Sequence, residues 1–295
     1  MQALVSRGDP VPVSITRRSL LAAPLLSLPA FADDAVSSLR ELERRNGGRL
    51  GVALLDTANG RGVAYRGDER FPMCSTFKFL AAALMLARVD RGEEKLERRI
   101  VFAERDLVPY SPATREHVGA GGMTVDAICA AAVTLSDNTA GNLMLASVGG
   151  PAGLTAFARA LGDTVTRLDR IETALNEGRP GDPRDTTSPL AMLATMQKLV
   201  AGDVLSAASR ERLIGWLVAN KTGDRRLRAG VPAAWRVGDK TGTGGNGSAN
   251  DIAVAWPPGR APVFVTAYYT GSTISDEARS AVIAEAGRIA TAGLA

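Results

Sequence analysis

The chain has 295 residues, 45% of them hydrophobic and 22% charged, enough apolar material for a sizeable core without disulfides or metals. Its formal charge of +4 comes from Lys and Arg interspersed with Asp and Glu, and no basic tract exceeds pairs such as Arg17-Arg18 and Arg225-Arg226. That pattern argues against nucleic acid as a partner. A lone histidine, His117, lies in a polar run before a Gly-rich turn and reads as a surface or capping residue. Any hydrolytic base must therefore come from Lys, Glu or Asp, and a His-rich zinc site is excluded; no metal or cofactor is expected.

In chain order, Thr16-Arg17-Arg18-Ser19-Leu20-Leu21 is a twin-arginine pattern, followed by an apolar stretch interrupted by prolines and by Ala30-Phe31-Ala32, an A-x-A cleavage site. Residues 1–32 are thus expected to be a signal peptide, too short and proline-broken to span a bilayer. The mature protein is then periplasmic or secreted and free of the membrane. An amphipathic helix is expected at 36–45, ended by Asn46-Gly47-Gly48. A hairpin follows, with strands at 49–56 and 62–66 joined at Asn59-Gly60. The Ala/Leu-rich segment 75–89 reads as a helix, as do 125–135, 140–148, 154–161, 189–201 and 207–220. Strand patterns return at 235–238, 251–256 and 262–270, and a last helix over 275–292 has Ser275 and Asp276 as N-cap candidates.

Strands therefore cluster at both ends of the chain and helices in the middle. The economical solution is an α/β fold of the α+β type: an antiparallel sheet flanked by helices, with an all-α domain inserted. Residues 33–70 and 216–295 form the sheet-containing domain, and residues 71–215 the helical one. A site is expected in the cleft between them. Cys74 and Cys129 are too few for a disulfide scaffold and read as two small buried hydrophobes, their pairing left open.

Three short motifs carry chemistry. Ser75-Thr76-Phe77-Lys78 sets a hydroxyl and an amine one helical turn apart at a helix N-terminus, where backbone N–H groups favour developing negative charge. A lysine of lowered pKa can act as base for such a serine, although the same spacing also fits a plain N-cap. Ser136-Asp137-Asn138 falls between two apolar helices and by itself is a turn. Lys-Thr-Gly occurs twice, at 221–223 and 240–242. The first copy reads as a helix stop. The second lies between strands, along a sheet edge that can pair with a peptide-like substrate, with Lys240 available for a carboxylate.

Together and in this order, the three motifs resemble those of class A β-lactamases and penicillin-binding proteins. The resemblance to class A β-lactamases covers nearly the whole mature chain, including Arg184-Asp185-Thr186-Thr187 and Asp251-Ile252-Ala253-Val254. It implies the β-lactamase/D,D-peptidase-like fold, a β-lactam substrate, a catalytic water and a monomer. Arg170-Ile171-Glu172-Thr173-Ala174-Leu175-Asn176-Glu177 is similar to the family's omega loop, here about 167–185, with Arg170 and Asp185 as bracing partners.

By this match Ser75 is the nucleophile, Lys78 and Glu172 share or contest the acylation base, and Glu172 with Asn176 handles the deacylating water. Ser136 relays a proton to the leaving nitrogen, and Asn138 binds the substrate's amide side chain. Lys240, Thr241 and Thr243 hold its carboxylate, the N–H groups of Ser75 and Thr243 form the oxyanion hole, and Tyr110 is the aromatic at the cleft mouth. Two departures stand out. The arginine that many members carry one strand over from Lys240 is Ala249 here, so its charge must come from Arg226, the better candidate, or Arg279. A subset that hydrolyses carbapenems bridges a cysteine beside the nucleophile to one after Lys-Thr-Gly-Thr; Cys74 is present but Gly244 takes the other place. The alternative reading is a penicillin-binding D,D-peptidase or sensor that is acylated without turnover. Such proteins resemble the three motifs but lack the glutamate that Glu172 matches.

Overall fold

The computed structural model describes residues 30–119 and 121–294; the twin-arginine pattern and the proline-broken stretch up to Pro29 lie outside them. In chain order the elements are α1 (Ala30–Asn46), β1 (Arg49–Asp56), β2 (Arg61–Tyr65), β3 (Phe71–Pro72), α2 (Phe77–Asp90), β4 (Arg99–Ile100) and β5 (Met123–Thr124). Next come α3 (Val125–Thr134), α4 (Asn138–Ser147), α5 (Gly150–Ala160), β6 (Thr186–Thr187), α6 (Pro189–Val200) and α7 (Ala207–Val218). The chain closes with α8 (Leu227–Gly230), β7 (Arg236–Gly244), β8 (Ser248–Trp256), β9 (Val263–Thr270) and α9 (Asp276–Thr291).

Hydroxyl and carboxylate side chains start five of these helices, Ser275 among them as the sequence suggests. Thr124, Asp137, Ser188, Ser206 and Ser275 each accept a backbone N–H in the first turn of α3, α4, α6, α7 and α9. α2 differs from the rest: Phe77 to Ala87 are all buried, and a helix that is apolar all round belongs in the core. Each fully buried Leu, Phe or Met in it contributes on the order of 1.5–3 kcal/mol. Ser75 does not begin that helix. It sits in a short 3-10 turn, Cys74–Thr76, from which α2 runs on.

The main sheet is antiparallel and five-stranded in the order β2-β1-β9-β8-β7, so strands from both ends of the chain pair directly. Its side chains alternate between two cores. Ala53, Ile252, Val254, Phe264 and Tyr268 pack against the cluster that holds α2. Val52, Leu54, Ala253, Ala255, Val265 and Ala267 pack with Leu39 of α1 and Ile283 and Ala286 of α9. β7 is longer than its composition suggests and takes in the second Lys-Thr-Gly, paired residue by residue from Arg236↔Trp256 to Gly244↔Ser248. Its Gly, Asp and Lys are poor strand formers, so the pairing with β8 overrides propensity. β7 is an edge strand, and its free side faces the turn that carries Ser75.

Candidate active site

A cleft of about 360 Å³ opens between the edge of β7 and the start of α2. Eight residues singled out from sequence line it: Ser75, Tyr110, Ser136, Asn138, Asn176, Arg226, Thr241 and Thr243. The other three, Lys78, Glu172 and Lys240, are buried and bond to residues that do. Arg279 does not line it; that guanidinium pairs with Asp276 and donates to the Ile274 carbonyl. Thr222, in the first Lys-Thr-Gly copy, lines the cleft although that copy reads as a helix stop. Only its tertiary position reveals it.

The centre is a knot of hydrogen bonds around Lys78. Its Nζ donates to Ser75 Oγ at 2.9 Å, to the Ser136 carbonyl at 2.8 Å and to Asn138 Oδ1 at 2.6 Å. It also lies 2.9 Å from Glu172 Oε1, with both side chains fully buried. Ser75 Oγ donates to the same carboxylate at 3.3 Å. An ammonium has three protons, and here four acceptors surround one. Burial, the largest influence, holds Lys78 below the ordinary lysine range, and the Glu172 carboxylate opposes that shift. Ser75 Oγ thus touches two groups able to take its proton.

Lys240 donates to Ser136 Oγ at 3.0 Å and to the Thr241 carbonyl at 2.9 Å. Burial first, then repulsion from Lys78, push Lys240 well below the usual range. Arg226 is nine-tenths buried. It ties two strands together through the Gly242 and Asn250 carbonyls at 2.7 and 2.8 Å, and its other arm reaches Thr243 Oγ1 at 2.7 Å. Behind them, Asp239 accepts from Arg228 and from Asn220, and Asp251 takes the Leu227 N–H. Burial raises both carboxyls, and for Asp251 the Asp239 charge adds to it.

Local backbone makes these placements. Cys74, Tyr110, Ser136 and Asp185 all have positive φ, 46°, 63°, 59° and 57°, a conformation costly for residues with a Cβ and found where function over-determines the chain. Asp137 caps α4 through the Ala140 N–H and also accepts the N–H groups of Ala113 and Thr114, while the Tyr110 carbonyl accepts the Asn138 N–H. One buried carboxylate therefore clamps the Tyr110 loop to the Ser136 turn. Tyr110 itself is 60% exposed. The Glu172 backbone is pinned on both sides by Asn142 of α4, and Asn176 Nδ2 donates to Glu172 Oε2 at 2.5 Å. As the sequence suggests, Arg170 braces this loop, bonding Asp185 Oδ2 at 2.6 Å and Glu177 at 2.7 Å. Asp137 and Asn142 carry no motif beyond the one Asp137 shares, so their bracing roles were not readable beforehand.

Gly244 lets the two walls meet. A Cβ there would stand 2.6 Å from Cys74 Sγ and 2.7 Å from the Asn176 carbonyl. Cys74 and Cys129 are both free and buried, and burial pushes the Cys74 thiol up to about 12. His117 is exposed, away from this chemistry. Among the described residues no group of three or more His, Cys, Asp or Glu is arranged to hold a metal.

A profile of the β-lactamase enzyme family matches residues 34–294. β-Lactamase L2 of Stenotrophomonas maltophilia is 49% identical over 283 residues, which cover 92% of this chain and 93% of that protein. β-Lactamase CTX-M-8 of Citrobacter amalonaticus is 48% identical, covering 92% of each. Among solved structures, an ancestral class A β-lactamase is 66% identical with a TM-score of 0.86, covering 88% of this chain and 99% of that one. With a serine, a lysine and a glutamate knotted at an edge-strand cleft and relatives this near over nearly the whole fold, the chain belongs to the class A β-lactamases, serine hydrolases that open the β-lactam amide and confer resistance to it.

Proposed function

We propose that the chain hydrolyses penicillins and cephalosporins through an acyl-enzyme on Ser75, with each lining residue in a distinct role. The observation that carries this is the contact of Ser75 Oγ with both Lys78 Nζ and Glu172 Oε1. Ser75 Oγ attacks the lactam carbonyl and its proton passes to Lys78, directly or by way of Glu172, which is left ionised. The C–N bond breaks as Ser136 hands its own proton to the lactam nitrogen and regains one from Lys78. The N–H groups of Ser75 and Thr243 face the oxyanion, a contribution of about 3–4 kcal/mol per donor in comparable hydrolases. Lys240, Thr241, Thr243 and Arg226 hold the substrate carboxylate, Asn138 its amide side chain, and Tyr110 flanks the mouth. Glu172, aligned by Asn176, then takes a proton from water; the hydroxide adds to the ester, and Ser75 leaves with a proton.

The Glu172 carboxylate beside the ester favours turnover over the acylated endpoint of a D,D-peptidase or sensor. Gly244, where bridged members carry cysteine, favours penicillins and cephalosporins over carbapenems. All of these residues come from one chain, which supports a working monomer. The strands from both ends of the chain support a unit of residues 33–70 and 216–295 with residues 71–215 inserted, α7 joining the two. No helix among the described residues is long and apolar enough to cross a membrane. Export by the twin-arginine route rests on residues 16–32; an Arg17→Lys, Arg18→Lys double variant retained in the cytoplasm would support it, and normal export would overturn it.

Peptide mapping after exposure to a slowly hydrolysed β-lactam tests the nucleophile. The adduct is expected on Ser75, with neither adduct nor turnover in Ser75→Ala. An adduct on any other residue would overturn the assignment.

A further inference from the structure

The two Lys-Thr-Gly copies meet at the cleft. Thr222 Oγ1 of the first lies 2.5 Å from Thr241 Oγ1 of the second, and both side chains line the cleft. Behind Thr222 stands Asn220. Its Nδ2 donates to the Asp239 carboxylate at 2.6 Å, which leaves Oδ1 facing Thr222, where it accepts the Thr222 N–H at 3.1 Å and Oγ1–H at 2.9 Å. The Asp239 carboxylate is fixed in turn by Arg228. Gly223 allows this approach, since a Cβ there would fall 1.7 Å from Asp239 Oδ2.

Proton accounting sets the direction of the chain. An amide oxygen only accepts, and a hydroxyl has one proton. With the Thr222 proton on Asn220, the short contact must be donated by Thr241, whose own proton then points away from the cleft. A carboxylate arriving at Thr241 needs that proton. If Thr241 turns it toward the carboxylate, Thr222 can swing its proton onto Thr241 Oγ1, and Asn220 Oδ1 still keeps the Thr222 N–H. No buried polar group is left unpaired in either state, and the second arrangement strengthens the Thr241 donor.

We propose that Thr222 is a positioning residue for the substrate carboxylate, acting through a reversal of the Thr241–Thr222–Asn220 hydroxyl chain on binding. The proposal rests on the reading of Thr241 as a carboxylate ligand, and its test separates the two. Steady-state kinetics on the full chain would compare Thr222→Val, Thr222→Ser, Thr241→Val and the Thr222→Val, Thr241→Val pair. The probes are a chromogenic cephalosporin and its carboxylate methyl ester. Loss of one net hydrogen bond in the bound state should raise KM for the free acid about fivefold in Thr222→Val. Four further results are expected: kcat is kept, Thr222→Ser restores KM, the ester does not distinguish Thr222→Val from the parent, and the pair is no worse than Thr241→Val. An unchanged KM in Thr222→Val, an equal loss with the ester, or additivity in the pair would overturn it. An unchanged KM in Thr241→Val would remove the carboxylate reading and the proposal with it. Thr222→Ala gives the same comparison should the valine variant fail to fold.

Discussion

At the scale of single residues, burial is the first influence that weakens the hold of both lysines on their protons; the Glu172 carboxylate opposes it at Lys78, and the Lys78 charge adds to it at Lys240. In the role proposed for it Lys240 must be charged to attract a carboxylate, yet burial and the nearby Lys78 weaken its hold on its proton. As pH rises through that depressed value the charge is lost, so KM should climb at a pH below the ~10.4 at which an exposed lysine titrates. A guanidinium stays charged past pH 12. Lys240→Arg should therefore move this alkaline limb upward, in KM rather than kcat; a limb left in place would assign it to another group. The residues that a short motif can hold, Ser75 with Lys78 and Lys240 with Thr241, were legible because they stand within one turn or one strand step of each other along the chain. Glu172 needed a longer segment, whose likeness to a family loop was its only signal. Thr222, Asn142 and the bracing contacts of Asp137 owe their roles to partners tens of residues away, and nothing local marks them.

Among elements, the loop from Arg167 to Asp185 matters most, since it carries Glu172 and Asn176. Asp185 holds it closed, accepting the N–H groups of Asp169 and Arg170 and pairing with the Arg170 guanidinium. Its own carbonyl accepts the Met73 N–H, next to the turn that carries Ser75. Asp185→Asn keeps the shape but removes a buried charge from a partly exposed partner, at a cost of about 2–3 kcal/mol. Urea unfolding should show that loss, and deacylation should slow more than acylation as Glu172 loses alignment. Equal slowing of both steps would place the effect outside the loop. The starts of α2 to α7 and of α9 were legible to within four residues from where the periodic patterns begin, whereas α1, expected from residue 36, begins at Ala30, and the short α8 was not anticipated. The length of β7 was not, because pairing with β8 and not its own composition makes it a strand.

For the whole molecule, the order of strands, helices and strands along the chain already implied a sheet closed from both ends, and β1 beside β9 bears that out. The cleft follows from this closure: the edge strand β7 stops against the turn that starts the buried helix α2, and the Glu172 loop closes the remaining side through Gly244 and Gly245, whose N–H reaches the Asn176 carbonyl at 2.7 Å. What separates a hydrolase from a protein that stays acylated is whether the carboxylate delivered by that loop activates water. Rapid-mixing kinetics with intact-mass detection, comparing the parent with Glu172→Gln on one chromogenic cephalosporin, tests this most directly. The parent is expected to turn over continuously, and the variant to give a stoichiometric burst, with the adduct persisting as deacylation falls by about 10²–10⁴. A parent that stops after one equivalent, or a variant that deacylates at the parental rate, would contradict the role assigned to Glu172.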